Sequence, residues 1–251
     1  MKRIVLRNNV DFKEISVLHQ KYNIGVNIEN FNNPYYLEDN PNAINEILEV
    51  YKDIGIYSLH APFMDLCFGS IDKLIREITE KRFEYAYEIS CNLLCKNIIV
   101  HNGYNPKTLY CPKGWVERGK IFWENFLLNK NKDTIFYLEN TFENEPEIII
   151  DLIDNINKNN LQMCLDVGHA NIYSNIEITS WIKKANKNIG FVHLHNNFGE
   201  KDDHNGLNNG NINMNEVCMA LEQYSPNAIW EIETEEWKES IEWFLKNEYI
   251  R

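Results

Sequence analysis

Metal-competent side chains recur at intervals along this chain: His60, His101, Glu139, Asp166 with His169 three residues later, His193 and His195, Asp202 and His204, then Glu231 and Glu233. All but one of the seven histidines belong to this set, His19 being the exception. A divalent ion bound by a protein needs several imidazole nitrogens and carboxylate oxygens aimed at one point from rigid supports. A lone histidine at a strand end is ordinarily a satisfied polar group of the core. A set of this size is a different matter. Several carboxylates buried together without a counter-ion cost many kcal/mol, so the cluster calls for cations, and metal ions are the natural ones.

The elements that must carry these groups show in the apolar pattern. Short apolar runs predict strands at Ile4–Leu6, Gly25–Ile28, Ile56–His60, Asn97–His101, Thr134–Glu139, Gln162–Asp166, Gly190–His195 and Ala228–Glu233. Between and after them, apolar residues three and four apart predict helices near Asp11–Tyr22, Ala43–Asp53, Ile71–Leu94, Trp115–Asn129, Glu145–Asn157, Glu177–Ala185, Met214–Tyr224 and Glu236–Lys246. Strict strand–helix alternation implies a parallel sheet with right-handed crossovers. Eight such units in 251 residues match one α/β domain, a (β/α)₈ TIM barrel over residues 1–251, with an open doubly wound sheet as the alternative. No GxGxxG follows the first strand and no linker divides the chain; the Asn- and Gly-rich stretch Asn205–Asn215 reads as a surface loop. In a barrel the strand ends converge on one face, so the metal-competent residues meet there.

Bulk properties narrow the surroundings. Hydrophobic residues at 44% and charged residues at 25% describe an ordinary globular protein. The opening residues lack an apolar run long enough for a signal peptide, and no stretch approaches a membrane span, so a cytoplasmic location is expected. Six scattered cysteines without a CxxC pair read as free thiols; Cys91 and Cys95, four apart, are placed to share a helix face. A net charge of −12 withholds the attraction that nucleic acid ordinarily exerts.

The local motifs are HAPF from His60, IVHNGY around His101, YLENT around Glu139, CLDVGHA around Asp166 and His169, HLHNN from His193, DDHNGLNNG around His204 and WEIET around Glu231. Together they resemble the xylose-isomerase-like barrels, the superfamily of endonuclease IV (AP endonuclease family 2) and many sugar isomerases and epimerases. The resemblance runs from the third strand to the C-terminus. It implies a shared metal site of Glu139, Asp166, a seventh-strand histidine and an eighth-strand glutamate. It implies a second ion on His60 and His101, and a third on His169, Asp202 and His204 as in the endonuclease-like members. Either His193 or His195 fits the seventh-strand role, and either Glu231 or Glu233 the eighth, with Glu231 the better match to the family's ending. The implied cofactors are one to three divalent ions per chain, Zn, Mn, Mg or Co.

Two chemistries fit such a site. One is a sugar isomerase or epimerase acting on a small sugar, sugar acid or polyol. In it Glu139 and Glu231 act as catalytic acid and base as well as ligands, removing the C–H proton beside a carbonyl through a metal-stabilised enediolate. Asn102, Asn140, His195 and Glu233 are then candidate substrate contacts. The other is phosphodiester cleavage by metal-activated water. The segments leaving the strands carry Glu29, Glu38, Asp39, Glu143, Glu145, Glu235 and Glu236, offset only by Arg7, Lys107, Lys113, Arg118 and Lys201. Lys96, Lys130, Lys132, Lys183, Lys184 and Lys187 fall instead on segments entering strands, at the far end of the barrel. A DNA enzyme rings its site with Lys and Arg, so the rim favours a small sugar-like partner over nucleic acid. A non-catalytic metal- or sugar-binding barrel is a third reading, and a homo-oligomer is compatible with all three. Trp230 and Phe198 read as wall or packing residues, and Tyr35–Tyr36 as either a mouth lining or an exposed pair.

Overall fold

The computed structural model describes residues 4–108 and 111–250. Eight strands form a closed barrel in sequence order, every neighbouring pair parallel. They are β1 (Ile4–Arg7), β2 (Gly25–Ile28), β3 (Ile56–His60), β4 (Asn97–His101), β5 (Ile135–Glu139), β6 (Leu161–Asp166), β7 (Ile189–Leu194) and β8 (Ile229–Ile232). The helices are α1 (Phe12–Tyr22), α2 (Tyr36–Asp39), α3 (Ala43–Tyr51), α4 (Lys73–Asn92), α5 (Pro112–Phe126), α6 (Glu147–Ile156), α7 (Val167–Tyr173), α8 (Ile178–Ala185), α9 (Met214–Tyr224) and α10 (Trp237–Lys246). Closure settles the choice between barrel and open sheet.

Alternation along each strand sorts the side chains. Val5, Ile99, Tyr137, Cys164, Phe191 and Ile229 point inward and pack as a small apolar plug. Their outward neighbours join the larger core under the helices, where Trp115, Trp123, Trp181 and Trp230 are fully buried. The next inward positions, one layer above the plug, are the strand ends. Register places them side by side, His101 opposite Glu139, Asp166 opposite His193 and His193 opposite Glu231.

Two helices were not expected from the pattern. The seven-residue α7 starts where β6 stops, because the Asp166 carboxylate accepts a hydrogen bond from the His169 N–H at 2.7 Å and caps it. The four-residue α2 is shorter than a period can reveal. The expected common face for Cys91 and Cys95 is not formed. Helix α4 ends at Asn92, Leu94 turns left-handed at φ 57°, and Cys91 is exposed whereas Cys95 is buried. All six cysteines are free.

Candidate metal centre

Glu139, at the end of β5, is the hub. Its Oε2 lies 3.2 Å from His60 Nε2 and 3.4 Å from His101 Nε2. Its Oε1 lies 3.4 Å from His193 Nδ1 and 3.5 Å from His169 Nδ1. Asp166 is fully buried beside it, 3.1 Å from His195 Nε2 and 3.5 Å from His193 Nδ1. On the loop after β7, Asp202 Oδ2 meets His204 Nε2 at 3.1 Å and His169 Nε2 at 3.2 Å. Three sets, the first two sharing Glu139, bring one ligand atom per residue within 4.8 Å of each other: His60, His101 and Glu139; Glu139, Asp166 and His193; His195, His204 and Glu233.

Backbone contacts orient these rings. The Nδ1 atoms of His60, His169 and His204 lie 2.8–3.0 Å from the carbonyls of Ala61, Asn140 and Glu233. A carbonyl only accepts, so each Nδ1 carries the proton, and in a neutral ring Nε2 is left with its lone pair toward the mouth. His195 stacks on His204 with ring centres 4.1 Å apart. That stack needs Gly168, where a Cβ atom would come within 1.9 Å of His195 Cε1.

The electrostatics ask for positive charge at the centre. Burial opposes a charge on Glu139, yet the surrounding imidazoles of His101 and His193 hold its carboxyl well below the usual range. Asp166 is held down in the same way by His169 and His195. Burial likewise opposes a proton on His204, but Asp202 and Glu233 raise it to about 9. Two groups move the other way: His101 falls to about 4, because burial outweighs the pull of Glu139, and burial lifts the Glu231 carboxyl to about 8. Among the candidate ligands, five buried atoms have no hydrogen-bond partner: both ring nitrogens of His193, His195 Nδ1, Glu231 Oε2 and Glu233 Oε2. His193 Nδ1 is 3.1 Å from Glu233 Oε2 and Nε2 is 3.5 Å from Glu231 Oε2, so these atoms face one another without hydrogen-bond geometry. Opposed donors left unsatisfied around a common space are what a divalent ion satisfies. The nitrogen and oxygen donor set suits Zn, Mn, Mg or Co. The nearby Cys164 thiol is pushed strongly up by burial and stays protonated, which makes it a poor ligand.

Every residue expected to hold metal lies at this mouth, and the paired alternatives serve different sets. His193 sits among Glu139, Asp166, Glu231 and Glu233, while His195 faces Asp166 and His204. Asn102 and Asn140 are buried and bonded to backbone: Asn102 donates to the Glu139 carbonyl at 2.6 Å, and Asn140 brackets Asp166 through its carbonyl and N–H. They act on the site by fixing where β5 and β6 end. Phe198 is 57% exposed rather than packed, and Trp230 is buried against Phe244 and Tyr249. Tyr35 is exposed, with Arg82 over its ring, and Tyr36 packs on Phe31; neither lines the pocket that holds the candidate ligands. Glu143, expected on the rim, is buried.

Asn27, Arg7 and Glu29 join the site although the strand-end reading passed over β1 and β2. Asn27 donates to Glu231 Oε1 at 2.8 Å. Arg7 lines the same pocket as the metal-competent residues and pairs with Glu29 at 2.7 Å. Burial disfavours its charge, but Glu29, Glu233 and Glu231 keep the guanidinium firmly protonated. Treating β1 and β2 like the other six strands would have found both ends.

A closed eight-stranded parallel barrel with acidic and imidazole groups at the strand ends defines a class of protein. The chain matches the model of the family described as "Xylose isomerase-like TIM barrel" over residues 20–247, and it belongs to that family. Two curated relatives come from Methanocaldococcus jannaschii. The uncharacterized protein MJ1311 is 25% identical over 206 residues, 73% of this chain and 66% of that protein. The uncharacterized protein MJ1614 is 30% identical over 185 residues, 70% of this chain and 69% of that protein. This chain therefore spans about two thirds of each relative's length. Among solved structures, a D-tagatose 3-epimerase-like protein superposes with a TM-score of 0.77 at 23% identity, covering 99% of this chain and 97% of that one. The TTHB071 protein from Thermus thermophilus, soaked with ZnCl2, gives 0.74 at 19% identity, covering 97% and 96%. A D-psicose 3-epimerase in the presence of D-fructose gives 0.70 at 16% identity, covering 92% and 84%. At these identities the likeness is one of fold.

Proposed function

We propose that this protein is a metal-dependent sugar isomerase or epimerase acting at the barrel mouth. The observation that carries this reading is the set of unsatisfied His193, Glu231 and Glu233 atoms facing one another beside the Glu139 hub. Glu139, Asp166, His193 and Glu231 hold the principal ion, His60 and His101 a further one beside Glu139, and His169, Asp202 and His204 a third. Bound divalent metal supplies a Lewis acid that polarises a substrate carbonyl. Glu139 and Glu231 approach His193 from two sides, at 3.4 Å and 3.5 Å, and so flank whatever lies over that ring. One takes the proton from the carbon beside the carbonyl and the other returns a proton to the opposite face. Arg7 steadies Glu231 and Glu233, and Asn27 fixes the rotamer of Glu231.

The surroundings favour a neutral polyol. Among the described residues lining the metal-bearing pocket, Arg7 is the only Lys or Arg, and Glu29 already neutralises it. Duplex DNA binding relies on several free cations around the site. The solved neighbours described as 3-epimerases agree with this choice. No helix among the described residues is long and apolar enough to cross a membrane, which is compatible with the expected cytoplasmic setting. One feature favours a second reading, phosphodiester cleavage: Asp202 joins His169 and His204 into a third potential ligand set that an isomerase does not require. Incubating the metal-reconstituted protein with D-fructose, D-tagatose and D-psicose, and separately with abasic-site DNA, tests both. Ketose interconversion that stops with chelator is the expected result; DNA incision with no sugar turnover overturns it.

A further inference from the structure

The pocket at the mouth, about 210 Å³, adjoins a larger cavity of about 470 Å³. Phe63, His101, His169 and Asp202 line both, so the two lie side by side across these four residues. The character changes across that border. Beyond it the walls include Met64, Leu66, Phe142 and Tyr173, with Asp65, Tyr104, Asn105 and Thr141 among them. Phe63 stacks on His101 with ring centres 4.3 Å apart, and Phe142 meets Tyr173 edge-on at 5.1 Å. Met64 is 70% and Phe142 43% exposed, which leaves large apolar surface open at the entrance to a polar site. The wall is built rather than loose. Gly103 has φ 69°, and a Cβ there would come within 2.4 Å of the Leu66 carbonyl, so the β3–α4 loop rests directly on the backbone beyond β4. One polar atom in this wall, Thr141 Oγ1, is buried without a hydrogen-bond partner.

A free monosaccharide is a poor occupant for this annex. It carries hydroxyls on nearly every carbon, and burying them against Phe63, Leu66 and Phe142 without partners costs free energy. A flat apolar ring suits it, with one face on Phe63 and its edges toward Phe142 and Tyr173. We propose that the substrate is a conjugate: a hydroxy-carbonyl head at the metal ligands, joined to an aromatic or similar ring-sized apolar arm that fills the annex. This rests on the reading of the mouth as a metal-dependent sugar site and narrows its substrate class to sugars that carry an aromatic or similar apolar arm.

Acetohydroxamate and benzohydroxamate share a two-oxygen metal-binding head and differ in the arm. Each is titrated calorimetrically into the Zn-reconstituted wild-type protein and into Phe142→Ser, a change at a half-exposed position; circular dichroism confirms that the variant is folded. We expect benzohydroxamate to bind wild type at least about tenfold more tightly, an advantage that shrinks to about twofold or less in Phe142→Ser. A second variant, Met64→Ser, is expected to shrink it as well. Equal affinities of the two probes for wild type refute the annex while leaving the metal site standing. An advantage undiminished in both variants also refutes it. No binding of either probe overturns the reading of the mouth itself, and the annex with it.

Discussion

Glu143 is a carboxyl group buried to 2% exposure, four residues beyond the Glu139 hub and with no Lys or Arg among the groups that shift it. Burial lifts it from an ordinary 4.5 to about 7, against hydrogen bonds from the Thr141 and Glu143 N–H groups and from Asn102. The folded protein therefore keeps this proton between about pH 4.5 and 7, where the unfolded chain has released it. Stability from this group is complete below 4.5 and is lost as the pH rises through 7. A displacement from 4.5 to about 7, at about 1.4 kcal/mol per pH unit, amounts to about 3 kcal/mol. Glu143→Gln keeps the shape and can still accept from the Thr141 N–H, which the carboxylate now does at 2.7 Å, but it cannot ionise. Urea denaturation of chelator-treated wild type and Glu143→Gln, from pH 5 to 8, measures the difference. Relative to wild type, the variant should gain about 3 kcal/mol across that range, nearly all of it by pH 8. A difference that stays flat with pH would refute a protonated, buried Glu143.

Divalent metal should raise the thermal midpoint of the protein, by about 2.7 kcal/mol of stability at a hundredfold excess over Kd, and chelator should reverse it; no shift with Zn, Mn, Mg or Co would count against the metal centre. Gly168→Ala should push His195 off Asp166, costing about 1–3 kcal/mol by denaturation and lowering the metal content measured by mass spectrometry; wild-type values for both would contradict the tight packing at Gly168. Asn27→Ala removes the 2.8 Å bond to buried Glu231 and should cost about 1–3 kcal/mol in urea melts at pH 7; an unchanged midpoint would show that Glu231 is held by other means.

The barrel could be read from the chain because its strands are short, apolar and bounded by helices with clear stripes, such as Ile149, Leu152, Ile153 and Ile156 on α6, all buried. The gathering of the candidate residues at one mouth was equally legible, since a period of two puts His193 with His195, and Glu231 with Glu233, on one face whatever else the fold does. What period cannot supply is distance in space. That His193 joins Glu139 and Asp166, with Glu231 and Glu233 also against its ring, while His195 joins His204 and Glu233 and also touches Asp166, depends on strand stagger and on the β7–α9 loop folding back. Glu143 looked like a rim charge because nothing local shows a loop carboxylate turning inward to cap Thr141. Arg7 and Glu29 were missed for a different reason: each reads as a surface charge until its partner, 22 residues away in sequence, is seen 2.7 Å from it. The annex joins four separate loops, after β3, β4, β5 and β7, with α7, and no single segment announces it.

The central claim is that the mouth removes a carbon-bound proton with metal present. Proton NMR in D2O follows it directly, using a ketose, Zn- or Mg-reconstituted protein and the Glu139→Gln variant. The account predicts exchange of deuterium into the position beside the carbonyl, abolished by chelator and reduced about 10²-fold or more in the variant. A metal-loaded wild-type protein that exchanges no proton in any ketose or ketose conjugate, or exchanges it equally well without Glu139, would contradict it.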